Sequence, residues 1–192
     1  MSEVAVVFHS STGTTRRMAE AVYAGAASVA GARAALHELR AGELADGRWK
    51  NDALLARLDA ADAIVFGCPT YMGGPSAQMK AFLDATLQRW YARVWSNKLA
   101  AAFTVSSTPS GDKLQTLTAI AITAMQHGMI WVGVDQSPLD ADQRNRLGVY
   151  VGAAGQAEYT TQPPGVYAGD LRTGEQLGAR VATLALRLRA GA

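Results

Sequence analysis

Val4-Ala5-Val6-Val7-Phe8-His9-Ser10-Ser11-Thr12-Gly13-Thr14-Thr15-Arg16-Arg17-Met18 is the stretch that decides the fold. Residues 4–8 form a short apolar run of strand type, and beyond a polar turn Met18, Ala21, Val22, Gly25, Ala26 and Val29 follow helical spacing. The reading is strand, loop, helix. The unit recurs, with strands expected over residues 34–39, 63–67, 100–105 and 129–134 and helices over 52–58, 76–91, 114–126 and 174–189. Strands that alternate with helices in one chain predict a parallel sheet with right-handed crossovers and helices on both faces. Strands one, three, four and five are apolar throughout, as strands covered on both faces should be. The second carries His37 and Glu38 and reads as an edge.

The 192 residues are expected to make one domain, residues 1–192, since no linker, repeat or low-complexity tract interrupts them. Hydrophobic residues at 49% against charged residues at 18% exclude a disordered chain. The balance of 18 basic against 16 acidic residues, a net +2, argues against nucleic acid or an anionic membrane as partner. Cys68 is the single cysteine, so an internal disulfide and a multi-thiolate zinc site are both excluded, and no metal is expected. Apolar runs fall short of the ~20 residues of a membrane span, and the chain starts without a basic, cleavable leader, so a cytoplasmic location is expected. Residues 135–173 are the anomaly, a Gly-, Pro-, Asp- and Thr-rich stretch too long for an ordinary loop, with a short strand expected at 149–153.

In an open parallel sheet, ligands bind at the carboxyl ends of the strands where strand order reverses, so the loops after strands one, three and four matter most. Ser10, Ser11, Thr12, Thr14 and Thr15 surround Gly13 immediately before a helix, and free amides plus hydroxyls there suit a phosphate. Neither the lysine of a triphosphatase loop nor a GxGxxG run is present, which points to one terminal phosphate. The bland alternative is a helix cap, although five hydroxyls exceed what one cap uses. Arg16 and Arg17 oppose the helix dipole unless an anion lies nearby; equally, they are solvated surface residues.

The segment from Ser10 to Thr15 resembles the T/S-x-T-G-x-T phosphate loop of flavodoxin-like FMN proteins. Gly67-Cys68-Pro69-Thr70-Tyr71-Met72-Gly73-Gly74, followed by Gln78 to Asp84, and later His127-Gly128-Met129, are similar to segments of WrbA-type NAD(P)H:quinone oxidoreductases and related NADPH-dependent FMN reductases. The resemblance implies a flavodoxin-like three-layer α/β sandwich with a five-stranded parallel sheet in the order 2-1-3-4-5. It also implies FMN as cofactor, with two electrons passing from NAD(P)H to a quinone by a ping-pong route, and a homodimer or homotetramer. Pro69, Thr70, Tyr71, Met72 and Gly73 would wall the flavin ring, while Ser106, Ser107, Thr108 and Gly111 would add hydroxyls and amides beneath it. No catalytic side chain beyond the flavin is required; Tyr71 and His127 are the candidate substrate contacts.

Each of these has a plainer reading. The segment after strand three can be an ordinary turn with Pro75 near a helix start. His127 can interact with the last carbonyls of its helix, Cys68 can be a small buried residue, and Trp90, Tyr91 and Trp95 can be packing rather than a subunit contact or substrate roof. Tyr150, Tyr159 and Tyr167 are candidates to stack on an aromatic substrate from the long loop. The chain departs from the WrbA pattern in three ways. It lacks the glycine-rich run after strand four, it has Tyr71-Met72 where Arg-Phe is usual, and it lacks the insertion after strand two. Two other classes remain open, a one-electron flavodoxin carrier and a flavin-binding regulatory module without turnover. Carriers of that kind are strongly acidic, and this chain is not.

Overall fold

The computed structural model describes residues 1–160 and 162–191. Its central sheet is built on five parallel strands: β1 (Ser2–Phe8), β2 (Ala32–Glu38), β3 (Ala63–Tyr71), β4 (Leu99–Ser106) and β5 (Ala153–Glu158). They stand in the order β2-β1-β3-β4-β5, and three two-residue pieces bring the sheet to eight strands. Among the described residues six α-helices cover it: α1 (Thr14–Ala27), α2 (Asp52–Ala60), α3 (Ala77–Ala85), α4 (Leu87–Tyr91), α5 (Lys113–Gln126) and α6 (Ala168–Ala190).

The period of two along each strand divides the core between two layers. Val4, Val6 and Phe8 point to the face covered by α1 and α6, where they meet Met18, Val22, Leu177 and Val181. Ala5 and Val7 point the other way, to the face of α2, α3 and α5, with Leu58, Phe82, Leu117 and Ile120. The edge strand β2 is only partly covered, as its His37 and Glu38 foretold.

On the first face α1 and α6 pack backbone to backbone. A Cβ placed on Gly178 would lie 1.9 Å from the Val22 carbonyl oxygen, and one on Gly25 would lie 1.7 Å from that of Glu175. Only glycine at the crossing lets the helices come so near.

Three expectations need correction. The long third helix is two, broken at Thr86, whose hydroxyl donates to the Leu83 carbonyl at 2.7 Å and so competes with the helix ladder. The closing helix begins at Ala168, six residues early; Gly169, which lowers helix propensity in that first turn, lies close against Gln143, where a Cβ would come 2.5 Å from its carbonyl oxygen. The largest miss is the fifth strand. Of residues 129–134 only Ile130–Trp131 pair in register with β4; the chain then leaves the sheet and returns as β5, which pairs with the far half of β4. Residues 149–152 are not a strand but the neck of this excursion, where the Tyr150 carbonyl accepts from the Val134 amide at 3.1 Å.

Candidate cofactor site

Three loops meet at the carboxyl end of the sheet. The first, after β1, begins with His9, whose amide donates to the Gly67 carbonyl at 2.9 Å and whose Nδ1 lies 3.0 Å from the Ser76 hydroxyl. His9 is 7% exposed, and burial holds its pKa below 6.5 against an upward pull from Glu38. Gly13, in the left-handed region at φ 90°, turns the chain into α1, which has no side-chain cap from Gly13 and no acidic residue in its first turn. The Ser10 hydroxyl folds back to accept from the Arg16 amide at 3.2 Å. Among the described residues, nothing accepts from the amides of Thr12, Gly13, Thr14 or Thr15. A Cβ on Gly13 would meet no atom within 4 Å, so the space above these amides is open. Amides at a helix start, without protein acceptors among the described residues and without an acidic side chain in the first turn, fit a phosphate.

Ser11 and Thr12 are exposed beside these amides, and Thr14 and Thr15 are buried, with the Thr12 and Thr14 hydroxyls 3.3 Å apart. Arg16 does not stand free for an anion: its guanidinium pairs with Glu38 of β2 and lies over the Phe8 ring, 5.7 Å from the centroid. Arg17 is exposed.

The second loop closes as a two-residue hairpin. Thr70 pairs with Pro75 and Tyr71 with Gly74, and the turn residues Met72 and Gly73 both have positive φ, 46° and 78°. That geometry is the tight mirror-image turn which suits the twist of paired strands, and a methionine in it carries strain. Met72 is therefore fully exposed at the tip and Tyr71 is 47% exposed beside it. The Thr70 hydroxyl points inward and lies 2.8 Å from the Thr104 and Thr116 hydroxyls, leaving the main chain as its contribution to the loop. Pro69 is buried at the end of β3. Cys68 is fully buried, and burial pushes its thiol pKa up to about 12, so it is an inert packing residue.

The third loop runs from Ser106 to Asp112. Gly111 (φ 52°) lies against the Ser106 side chain, so that a Cβ there would come 2.0 Å from its hydroxyl. Ser107 and Thr108 are exposed, and the Ser107 hydroxyl is 3.1 Å from the Tyr159 hydroxyl, which brings the end of β5 to the same rim. The second and third loops adjoin, since a Cβ on Gly73 would lie 3.8 Å from that of Asp112.

Beneath the third loop lies a residue that sequence reasoning missed. Lys113 is 1% exposed, and its ammonium donates to the carbonyls of Thr108 (2.5 Å), Pro109 (3.0 Å) and Ser110 (3.4 Å). Behind it, Asp170 of α6 is equally buried and accepts from Arg146 and from the Gln156 amide, each at 2.8 Å. Arg146 also lies over the Tyr167 ring at 4.5 Å, so Tyr167 is held in this cluster, and Tyr150 lies at the neck of the excursion near Val134. Of the three tyrosines, Tyr159 alone reaches the loops through a hydrogen bond among the described residues.

His127 and the aromatic segment lie elsewhere. His127 ends α5, fourteen residues or about 20 Å from the third loop, at the amino end of the sheet. It is 3% exposed, its Nε2 is 2.8 Å from the Thr86 hydroxyl, and its ring packs on Trp95. Within this chain it touches none of the three loops, and its side chain does not cap its own helix either. Trp95 is core, 1% exposed with its indole donating to Asp59 at 2.7 Å, whereas Trp90 and Tyr91 are exposed. α3 runs away from the hairpin loop, which carries all three to that end rather than to the rim.

Comparison with known proteins agrees with this architecture. The chain is 40% identical to a WrbA-like flavodoxin from Agrobacterium tumefaciens of known structure, with a TM-score of 0.75 over 97% of this chain and 99% of that one. It is 36% identical to flavodoxin FldP of Pseudomonas aeruginosa over 99% of this chain and the whole of that protein. An NAD(P)H dehydrogenase (quinone) of Archaeoglobus fulgidus is 35% identical over 98% of this chain and all of its own length. The family description matching residues 4–143, NADPH-dependent FMN reductase, takes in all three loops, and the chain belongs to that family.

Proposed function

We propose that this protein binds FMN at the three loops and catalyses electron transfer from NAD(P)H to a quinone or similar acceptor. The observation that carries the reading is the row of amides from Thr12 to Thr15, which lack acceptors among the described residues and lie at a helix start with no acidic side chain in its first turn. These amides, with the hydroxyls of Ser10, Ser11, Thr12, Thr14 and Thr15, would hold the phosphate. Pro69 to Gly73 and Ser106 to Gly111 would flank the ring with main-chain groups, and the exposed Tyr71 and Met72 would cover its plane. Bound there, FMN supplies hydride acceptance and two-electron delivery. The protein's own work is then to position one substrate at a time at the rim, where Tyr71 and Tyr159 offer aromatic surface.

One rim serves both substrates in this reading, so the reductant leaves before the acceptor enters, and double-reciprocal plots should be parallel. Intersecting plots would sink the shared rim. The cofactor reading is tested by titrating FMN and riboflavin into the wild type and a Thr12→Val, Thr15→Val variant. Each charge-assisted hydrogen bond lost contributes ~1.5–3 kcal/mol, so the variant should weaken FMN by at least a hundredfold and leave riboflavin nearly unchanged. Equal affinity of the wild type for the two flavins would refute a phosphate site.

The likeness to a protein named flavodoxin favours a second reading, a one-electron carrier. The net charge of +2 gives no acidic field for docking to a basic partner, which supports the enzyme instead. Steady NADH or NADPH oxidation that depends on quinone separates the two. For assembly, Leu87, Trp90, Tyr91, Ile122 and Met125 leave apolar surface exposed on α4 and α5, and we take a homodimer or homotetramer as the working state.

A further inference from the structure

We propose that Lys113 is a positioning residue for the flavin ring: its buried ammonium draws three successive carbonyls of the 106–112 loop downward and so presents the loop's amides on the open side. The inference rests on the FMN reading above and concerns a residue that reading does not use.

The geometry follows from the peptide unit. In a trans peptide the C=O and the next N–H point in opposite directions. With the Pro109 and Ser110 carbonyls turned to the Lys113 ammonium at 3.0 and 3.4 Å, the amides of Ser110 and Gly111 face away from it. That side is solvent, since residues 107–110 are exposed while Lys113 is 1% exposed. Gly111 and Asp112 hold φ of 52° and 54°, the successive left-handed conformation that completes the turn. Among the described residues nothing accepts from the Ser110, Gly111 or Asp112 amides. An ammonium has three donors and here meets three acceptors; without it the Thr108 carbonyl keeps the Ser106 hydroxyl at 3.4 Å and the Ser110 carbonyl the Lys113 amide at 3.3 Å, but the Pro109 carbonyl loses its partner among the described residues and the three are no longer gathered at one point.

The charges around Lys113 fit a held cation. Asp170 of α6 faces it and raises its pKa, Arg146 of the excursion lowers it, and Asp112 lies on the exposed loop beside it. One Asp170 oxygen is buried without a partner among the described residues. Burial is the largest influence and brings the Lys113 pKa down to about 8. Of the buried groups beside these loops, burial holds His9 below 6.5 and pushes the Cys68 thiol up to about 12, so neither titrates with Lys113. A neutral amine keeps two donors, and its lone pair meets the third carbonyl, so the loop loosens on deprotonation.

The test is fluorescence titration of riboflavin and FMN against the wild type and Lys113→Met. The expected result is that the variant loses about tenfold or more in affinity for both flavins by the same factor, because the loop serves the ring and not the phosphate. In the wild type, riboflavin affinity should fall as pH rises through about 8, and in the variant it should not. Affinities within twofold of wild type, or a loss confined to FMN, would overturn the proposal. Should the variant fail to fold, the wild-type profile decides alone: an affinity that stays flat from about pH 7 to about pH 9.5 overturns it. A wild type that binds neither flavin at any pH refutes the FMN reading itself, and this inference with it.

Discussion

Gly178→Ala places one methyl group where α6 crosses α1. Its Cβ would lie 1.9 Å from the Val22 carbonyl oxygen, 2.8 Å from the carbonyl carbon and 2.9 Å from the Ala26 nitrogen. Reaching even a 3.0 Å contact requires 3.0 − 1.9 = 1.1 Å of separation, and the obstacle is backbone, so no rotamer change relieves it. A gap of that size forfeits a quarter to a half of the dispersion energy of the contacts it opens, and overpacking of this kind costs ~1–3 kcal/mol. The obstacle puts the cost at the upper end, the better helix propensity of alanine returns about 1 kcal/mol, and the net loss is about 2 kcal/mol. For a chain of this size that lowers the melting temperature by about 4–8 °C. Urea and thermal unfolding of the variant measure it, with Gly42→Ala as control, since a Cβ there meets nothing within 4 Å. Gly25→Ala strikes the same crossing from the other helix, so the double variant should lose less than the sum of the two. A Gly178→Ala protein as stable as the wild type would refute the close-packed crossing.

Gly111→Ala combines a positive φ with a Cβ 2.0 Å from the Ser106 hydroxyl; it should displace the third loop and weaken both flavins about tenfold, at ~1–2 kcal/mol of strain. Stability of the flavin-free protein should respond to Lys113 with a definite sign. Its pKa falls from 10.5 unfolded to about 8 folded, so between those values the unfolded state binds more protons and stability rises with pH, by up to ~3 kcal/mol. Urea midpoints across that range should show the rise in the wild type and lose it in Lys113→Met, while flavin affinity runs the opposite way. Sedimentation at micromolar concentration should show a dimer or tetramer; an active monomer would dispose of the shared apolar face.

Strands β1, β3 and β4 were legible because burial on both faces demands unbroken apolar runs, and β2 because a half-covered edge tolerates His37 and Glu38. β5 was not. It reads Ala-Ala-Gly-Gln-Ala-Glu, with none of the β-branched residues that mark strands, since a Cβ on Gly155 would come 2.7 Å from Met18 and larger side chains have no room. The apolar residues 129–134 look more like a strand than the segment that completes the sheet. In the site, hydroxyl-rich loops announced themselves. Lys113 carried a signal that composition hides: with Leu117, Ile120, Ala121 and Ala124 it shares the buried stripe of α5, where a lysine requires partners. Asp170 stands likewise on the stripe of Thr173, Gly174, Leu177 and Val181. The place of His127 was not legible, because a histidine near a helix end suits many sites in sequence, and its burial against Trp95 depends on where α3 and α4 lead the chain.

The interrupted sheet edge makes this chain divisible. The polypeptide departs after Trp131 and rejoins the same neighbour at Ala153, and the neck between is already zipped by the Trp131 indole on the Val151 carbonyl at 2.8 Å and the Val134 amide on Tyr150. Leu139, 92% exposed, marks the outer part of the excursion, and the family match stops at residue 143, inside it. A cut there yields one fragment with four strands and all three loops and another with β5, Tyr159, Asp170 and α6. The first fragment keeps the layer of α2, α3 and α5, but its other face is left incomplete, because α1 packs on α6 and β4 on β5, so the two would recombine through surfaces buried in the intact protein. Expressed as separate polypeptides, they would form a complementation pair whose reunion is reported by the return of flavin binding.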